Sequence, residues 1–310
     1  MLVSHLVSFA RFVRNRDARE RDDAQAMGEL ARTPLPLAAG LEIEWLGTAG
    51  YRLTYAGTSL LIDPYLTRVP LGQVLRRRVA LADPALHARF LGGLENVAGV
   101  LVGHTHFDHA IDVPELTRKL TTKAYGSRSL VNLMTLFGLR ERAVEVEANR
   151  AYELGPFTVR FIPSLHSKLL LGYKVPYDGE LTCEHLDGLT PAAYRCGQVY
   201  GIHIEVAGTT LYHQGSANLI DAQVPRGGVD VFLAGIAGRR FTERYWERIL
   251  PALDPAVVLA NHYDDFFRPL GDGVAFSTNV NLAGLPDEIG AVGRDITVAA
   301  LAPLTAVRAP

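Results

Sequence analysis

The spacing of hydrophobic residues changes along this chain, and the changes divide it. Leu2, Val3, Leu6, Val7, Ala10 and Val13 recur at helical spacing and lead into a mixed-charge run from Arg14 to Asp23. This predicts a helix over residues 2–31, ended by Thr33-Pro34-Leu35-Pro36. From Leu41 the pattern shortens to β-rich runs at 41–46, 51–55 and 59–63, with turn signals at Gly47-Thr48-Ala49-Gly50 and Ala56-Gly57-Thr58. A buried strand at 97–103 precedes helices at 113–120 and 127–137, and a further strand covers 157–163. A second hairpin, 200–206 with 209–213, turns about Ala207-Gly208. Strands at 229–234, 255–260 and 297–301 then alternate with helices near 242–250 and 279–289. A meander followed by strand–helix alternation, twice over, predicts two sheets packed face to face with helices outside.

Composition supports a packed core and excludes disorder as the main state: 48% of the 310 residues are hydrophobic and 21% are charged. We expect one domain over 41–310, preceded by a helical arm over 1–40. The arm is expected to pack on its own domain or on a second copy in a homo-oligomer, because acids are interspersed in it, rather than to lie on a membrane. A net charge of −2 provides no global basic field, so nucleic acid is not an expected partner. Cys183 and Cys196 cannot form a disulfide framework, which points to a reducing compartment. No run of 18 apolar residues exists and the first residues lack a basic leader, so a soluble cytoplasmic protein is expected.

The chemistry is concentrated in Leu101-Val-Gly-His104-Thr-His106-Phe-Asp108-His109-Ala-Ile-Asp112. Three histidines and an aspartate within six residues follow an apolar strand, which sets metal-capable groups on the rim of a sheet. Residues two apart in extended chain face the same side, so His104 and His106 can bind one ion. Asp108 and His109, at the turn beyond, can serve a second.

This H-x-H-x-D-H spacing resembles the metallo-β-lactamase superfamily of metal-dependent hydrolases, and further features fall in that family's order. Gly50-Tyr51-Arg-Leu-Thr-Tyr and Ser59-Leu-Leu-Ile-Asp63-Pro64 are similar to its opening hairpin and strand-end aspartate. Ile162-Pro-Ser-Leu-His166 and Val257-Val-Leu-Ala-Asn261-His262 match its later strand-end histidines. The resemblance implies an α/β four-layer αβ/βα sandwich with two mixed sheets and external helices. It also implies one metal site from His104, His106 and His166, a second from Asp108, His109 and His262, and a supporting role for Asp63 in orienting the metal-binding loop. One departure stands out. The family's Gly-Asp-Thr or Gly-Asp-Ser, whose aspartate bridges both metals, is replaced here by Gly215-Ser216-Ala217. A hydroxyl is a weaker ligand than a carboxylate, so the second ion is expected to be weakly held unless Asp221 reaches in. His213 is a further candidate nearby.

An imidazole-rich site suits Zn²⁺, one ion or two, with Mn²⁺, Fe²⁺ or Ni²⁺ able to use the same ligands. The implied activity is hydrolysis of an ester, lactone or phosphodiester by metal-bound hydroxide, with Asp108 orienting the water or taking its proton. The opening hairpin and Asp-Pro are similar to the lactonase and phosphodiesterase-like members. Three features bear on substrate: the long connection after His166, with Tyr173 near its start; Phe266 and Arg268 beside the last histidine; and Arg76-Arg77-Arg78. They suggest a small-molecule or lipid-like substrate with an acyl chain and an anionic head. The competing reading is a metal-stabilised binding module or pseudoenzyme in which Ser216 has weakened the second site.

Overall fold

Alternation along the first meander sets the orientation of the whole first sheet. Ile43 pairs with Leu53 and Glu44 with Arg52, so one face carries Ile43, Trp45 and Leu53 into the interior. The other face sets the Glu44 carboxylate 2.7 Å from the Arg52 guanidinium. The computed structural model describes residues 14–278, 280–293 and 295–309. Its first strands are β1 (Glu42–Gly47), β2 (Gly50–Tyr55), β3 (Thr58–Ile62), β4 (Val97–Leu101), β5 (Ala124–Gly126) and β6 (Ala143–Glu145). The next are β7 (Ala151–Leu154), β8 (Phe157–Ser164), β9 (Val199–Val206), β10 (Thr209–Gln214), β11 (Val229–Gly235), β12 (Pro255–Asn261) and β13 (Thr297–Ala300). Finally β14 (Thr305–Arg308) returns to pair with β1.

These strands form two sheets of matching plan, ordered β14-β1-β2-β3-β4-β5-β6 and β13-β12-β11-β10-β9-β8-β7. Each contains antiparallel pairings over four strands and parallel pairings over the rest: β3 to β6 in the first, β10 to β13 in the second. The inward faces share one core, in which Trp45, Leu53, Phe161, Ile202, Ile204 and Leu233 are fully buried. A second core lies between the first sheet and its helices, with Val100, Val102, Ile111, Leu116, Leu130 and Leu133. Helix Tyr245–Leu253 covers the second sheet through Ile249, Leu250 and Leu253. The result is the expected α/β sandwich of two mixed sheets between outer helices.

Several expected elements differ in extent. The strands β5, β6, β7 and β14, with three or four residues each, are too short to impose a period of two on the sequence. The helix expected over 279–289 is only Leu285–Gly290, because Pro286 is tolerated in a first turn and not further inside. The helix expected near 242–250 starts at Tyr245, after Arg244 in the left-handed region, and runs to Leu253.

Of the N-terminal arm, Arg16–Leu30 is helical, while Leu2 to Val13 lie outside the described residues. Met27 and Leu30 pack on the inter-sheet core, and buried Asp23 accepts a hydrogen bond from the Ala283 amide at 2.8 Å. Thr33 Oγ1 donates to the Val298 carbonyl, which fixes the arm's exit beside β13. Among the described residues, no helix is long and apolar enough to cross a membrane.

Candidate metal centre

Strands β3, β4, β8, β10 and β12 end on the same rim, and the polar groups of interest stand just past those ends. Asp63 follows β3, His104 and His106 follow β4, His166 follows β8, Ser216 follows β10 and His262 follows β12. Asp108 and His109 lie on the single helical turn Phe107–Ala110. Donor atoms of His104, His106 and His166 fall within 4.8 Å of one another, and those of Asp108, His109 and His262 do likewise. Thus six residues spread over 159 positions (104 to 262) form two adjacent triads.

Hydrogen bonds to the outer nitrogens fix which ring nitrogens face the triads. His106 Nε2 donates to the Pro176 carbonyl at 2.8 Å, so its Nδ1 carries a bare lone pair, 3.1 Å from His104 Nε2. His166 Nδ1 donates to the Ser167 carbonyl at 2.7 Å, leaving Nε2 bare. His109 Nδ1 donates to Asp63 Oδ2 at 2.8 Å, and Asp63 Oδ1 accepts from the Gly103 amide at 2.7 Å. Asp63 therefore ties the turn after β4 to the ring orientation of His109. Asp108 Oδ2 lies 3.3 Å from His262 Nε2 and 3.7 Å from His109 Nε2.

The electrostatics agree with a cation-binding role. Burial, reinforced by neighbouring imidazoles, holds His104 well below the usual histidine range. It lowers His106 to about 4 and His166 to about 3. Three clustered imidazoles that resist protonation leave their lone pairs for a metal ion. In the other triad, burial disfavours charge on Asp108, yet His109 and His262 outweigh it and hold the carboxyl below its ordinary range. Burial likewise opposes a charged His109, but Asp63 and Asp108 raise it. Carboxylates that attract a proton to this position would also attract a cation. The donor set fits a divalent ion in each triad, and His-rich ligation suits zinc, iron, manganese or nickel.

Two residues of the centre have a strained backbone. Asp63 and His262 have φ of 40° and 58°, in the left-handed region that non-glycine residues enter rarely. The His262 amide donates to the Thr48 carbonyl at 2.7 Å, and the Thr48 amide donates to Asp264 Oδ1 at 2.8 Å. Asp264 in turn lies 2.8 Å from Arg68 Nη2, with both side chains almost wholly buried. This tie between the first hairpin and the end of β12 has no local sequence signal, since Arg68 and Asp264 are 196 positions apart. Gly47 is required beside it: φ is 85°, and a Cβ there would come within 2.0 Å of Arg68 Nη2.

Other expected site residues are placed differently. Asp221 does not reach the triads: it pairs with Arg248 at the surface, its side chain 61% exposed. Ser216 is buried at the wall of the centre, where its Oγ accepts from the Ser167 amide at 3.0 Å and lies 3.2 Å from Ser167 Oγ. It supplies no charge between the triads. His213 is packed behind the site and donates through Nε2 to the Ala49 carbonyl, a structural role. Arg268 points outward, 66% exposed and 3.8 Å from Asp265, and is not an anion clamp in the site. Tyr173 is 68% exposed and away from the site cavity. Arg76, Arg77 and Arg78 are solvent-exposed and also absent from its walls. Cys183 and Cys196 are free thiols.

A cavity of about 230 Å³ opens against the triads, contacted by His106, Asp108, His166 and His262. Phe266 lines it as expected, its ring 5.4 Å from that of His262, and Phe267 stands beside it. The long connection after His166 serves two purposes. Ser167, Leu169, Pro176 and Tyr177 form cavity wall, whereas Leu181, Leu189 and Tyr194 are buried in the outer core. Further along, the carbonyls of Arg195 and Cys196 accept from Thr105 Oγ1, between the two paired histidines. The carbonyls of Pro176, Arg195 and Cys196 thus brace the segment His104–His106.

Comparison with known proteins places this geometry. The sequence pattern of the β-lactamase superfamily domain matches residues 42–262. A UPF0173 metal-dependent hydrolase of Ruegeria sp. (strain TM1040) is 30% identical over 182 residues, 58% of this chain and 65% of that protein. Another, from Polynucleobacter asymbioticus, is 27% identical over 57% of this chain and 56% of its own length. The chain therefore spans little more than half to two thirds of these relatives. Among solved structures, the metallo hydrolase Igni18 of Ignicoccus hospitalis has a TM-score of 0.51 at 17% identity, covering 86% of this chain and 97% of that one. The diiron β-hydroxylase CmlA of Streptomyces venezuelae has a TM-score of 0.58 at 15% identity, covering 88% and 55%. These likenesses concern the fold, which evidently hosts more than one chemistry. With the family pattern running from β1 to the last of the six gathered donors, the chain belongs to the metallo-β-lactamase superfamily.

Proposed function

We propose that this protein is a metal-dependent hydrolase that cleaves an ester, lactone or phosphodiester with water. The observation that carries this reading is the pair of donor triads facing one cavity, with the outer nitrogens of His106, His166 and His109 each held by a hydrogen bond. Relatives named metal-dependent hydrolases support it. A divalent cation, zinc in the first instance, would be held by His104, His106 and His166, and a second by Asp108, His109 and His262. When bound, it supplies Lewis acidity, acidifying water and polarising the substrate oxygen. Asp108, at the cavity wall with its carboxyl kept ionised, orients the attacking water or accepts its proton. Asp63 holds His109 in a single tautomer. Phe266 and Phe267 restrict bulk water on one side of the cavity.

The test is hydrolysis of p-nitrophenyl esters, acyl lactones and bis-p-nitrophenyl phosphate after chelation and after reconstitution with Zn²⁺ or Mn²⁺. Activity is expected only with metal, and is expected to be lost in His106→Ala. Full activity in that variant would refute the assignment. Demonstrated metal binding without turnover of any substrate would favour the binding module instead.

A further inference from the structure

The cavity wall facing the triads is mainly apolar, with the neutral hydroxyls of Ser167, Tyr177 and Ser216, and among the described residues it carries no Lys or Arg. Val74, Leu169, Pro176, Ala237, Phe266 and Phe267 provide the apolar part, and no Lys or Arg among the described residues contacts the cavity. The arginines that the sequence placed nearby are elsewhere, Arg268 at the surface beside Asp265 and Arg76 to Arg78 in solvent. Resting on the hydrolase reading, we propose that the substrate is an uncharged carboxylic ester or lactone with one compact apolar group seated against this wall, and that phosphodiesters and anionic acyl groups are excluded.

The argument is one of charge and size. A phosphodiester carries one negative charge shared by two non-bridging oxygens, and a cation at a triad would meet one of them. An oxygen turned away from the triads would face a largely apolar wall whose polar groups, the hydroxyls of Ser167, Tyr177 and Ser216, are neutral, with no Arg or Lys among the described residues to pair its charge, which is costly when buried. A neutral ester requires stabilisation of its single carbonyl oxygen, and its hydrocarbon part gains from leaving water. Size sets the other limit. At about 230 Å³ the space is below the roughly 300–1,000 Å³ of sites for drug-sized ligands. It exceeds the ~150 Å³ apolar cavity that takes up benzene. A ring or a short acyl chain fits, and a long lipid chain does not. In the reaction, water oxygen bonds to the acyl carbon, the acyl C–O bond breaks, and the alkoxide leaves with a proton from that water.

A charge-matched series tests this. The metal-reconstituted enzyme is assayed with p-nitrophenyl acetate, butyrate and decanoate, with the mono-p-nitrophenyl ester of succinate, and with bis-p-nitrophenyl phosphate. Butyrate is expected to exceed both the succinate half-ester and the phosphodiester in kcat/KM by at least ~10-fold, the scale on which one mismatched contact discriminates substrates. Decanoate is expected to fall below butyrate. Leu169→Arg, a change in a partly exposed wall residue, is expected to narrow or invert the preference for butyrate over the succinate half-ester. Phe267→Ala is expected to raise KM for butyrate more than for acetate. Equal or faster turnover of the phosphodiester or the half-ester would overturn the substrate class and leave the hydrolase reading intact. No turnover of any compound with metal bound would overturn both.

Discussion

Replacing Asp264 with Asn tests whether the buried ion pair to Arg68 holds the end of β12 in place. The exchange keeps an oxygen able to accept from the Thr48 amide, so it removes charge with little change of shape. The side chains of Arg68 and Asp264 are 2% and 6% exposed, so solvent cannot replace the lost partner. Arg68 Nη2 faces Asp264 Oδ2 at 2.8 Å, and the guanidinium also lies 5.1 Å from the Tyr65 ring. Breaking one side of such a pair costs about 3–5 kcal/mol. At the ~2 °C per kcal/mol at the lower end of the range for large domains, the midpoint should fall by roughly 6–10 °C. Differential scanning calorimetry at fixed metal concentration measures this. A paired variant, Arg68→Met with Asp264→Asn, should recover much of the loss, because the surviving charge is then gone too while the Thr48 amide keeps its acceptor. The chain Asp264–Thr48–His262 also predicts weaker metal binding in Asp264→Asn. A loss under ~1 kcal/mol, the size of an ordinary surface effect, would refute the claim that this pair is structurally decisive.

Asp63→Asn should weaken metal binding by about 10–100-fold, as loss of a carboxylate behind a ligating histidine does elsewhere; competition with a chromophoric chelator reads this directly. Gly215→Ala should also reduce metal content, because its Cβ would stand 2.8 Å from His109 Cε1 and 3.0 Å from Asp63 Oδ2. Wild-type metal stoichiometry and affinity in that variant would show that the pair is not held rigidly. Glu288→Gln should flatten the acid limb of stability. Burial opposes the charge on Glu288, but Arg239, Trp246 and Arg240 overcome this and hold its carboxyl below the ordinary range. Its contribution is therefore complete above the unfolded value near ~4.3 and is lost as pH falls through the lower folded value. Urea titrations of both proteins across that range should converge at low pH and separate above it.

The missing charge at Ser216 makes the two triads unequal. The first consists of neutral imidazoles, backed by the carbonyls of Pro176 and Ser167. The second holds Asp108 and is backed through His109 by Asp63, so nearly all the negative charge of the centre lies on one side. Two divalent ions would share very little anionic charge, and filling one triad raises the electrostatic cost of filling the other. The Ser216 hydroxyl, hydrogen-bonded to Ser167, is neutral and does not offset this.

What the sequence made legible follows from where each group sits. The five histidines and Asp108 stand at or just beyond the ends of β4, β8 and β12, strands of five to eight residues whose apolar runs mark their own ends. A ligand at such an end inherits its position from the sheet register. Arg268 and Asp221 instead lie in connections, where direction is set by tertiary partners that sequence spacing does not encode. Asp221 is taken by Arg248 from the following helix, and Arg268 turns outward beside Asp265. The adjacent Asp264 turns inward to Arg68, so two consecutive acids in one loop meet opposite fates. The same limit hid the cavity wall. Val74, Leu169 with Pro176, and Ala237 come from three separate connections, each unremarkable in sequence, and they form one cavity wall only because the two sheets bring their loop-bearing rims together. The two donor triads could be read from the strands, whereas the cavity wall had to be read from the assembled loops.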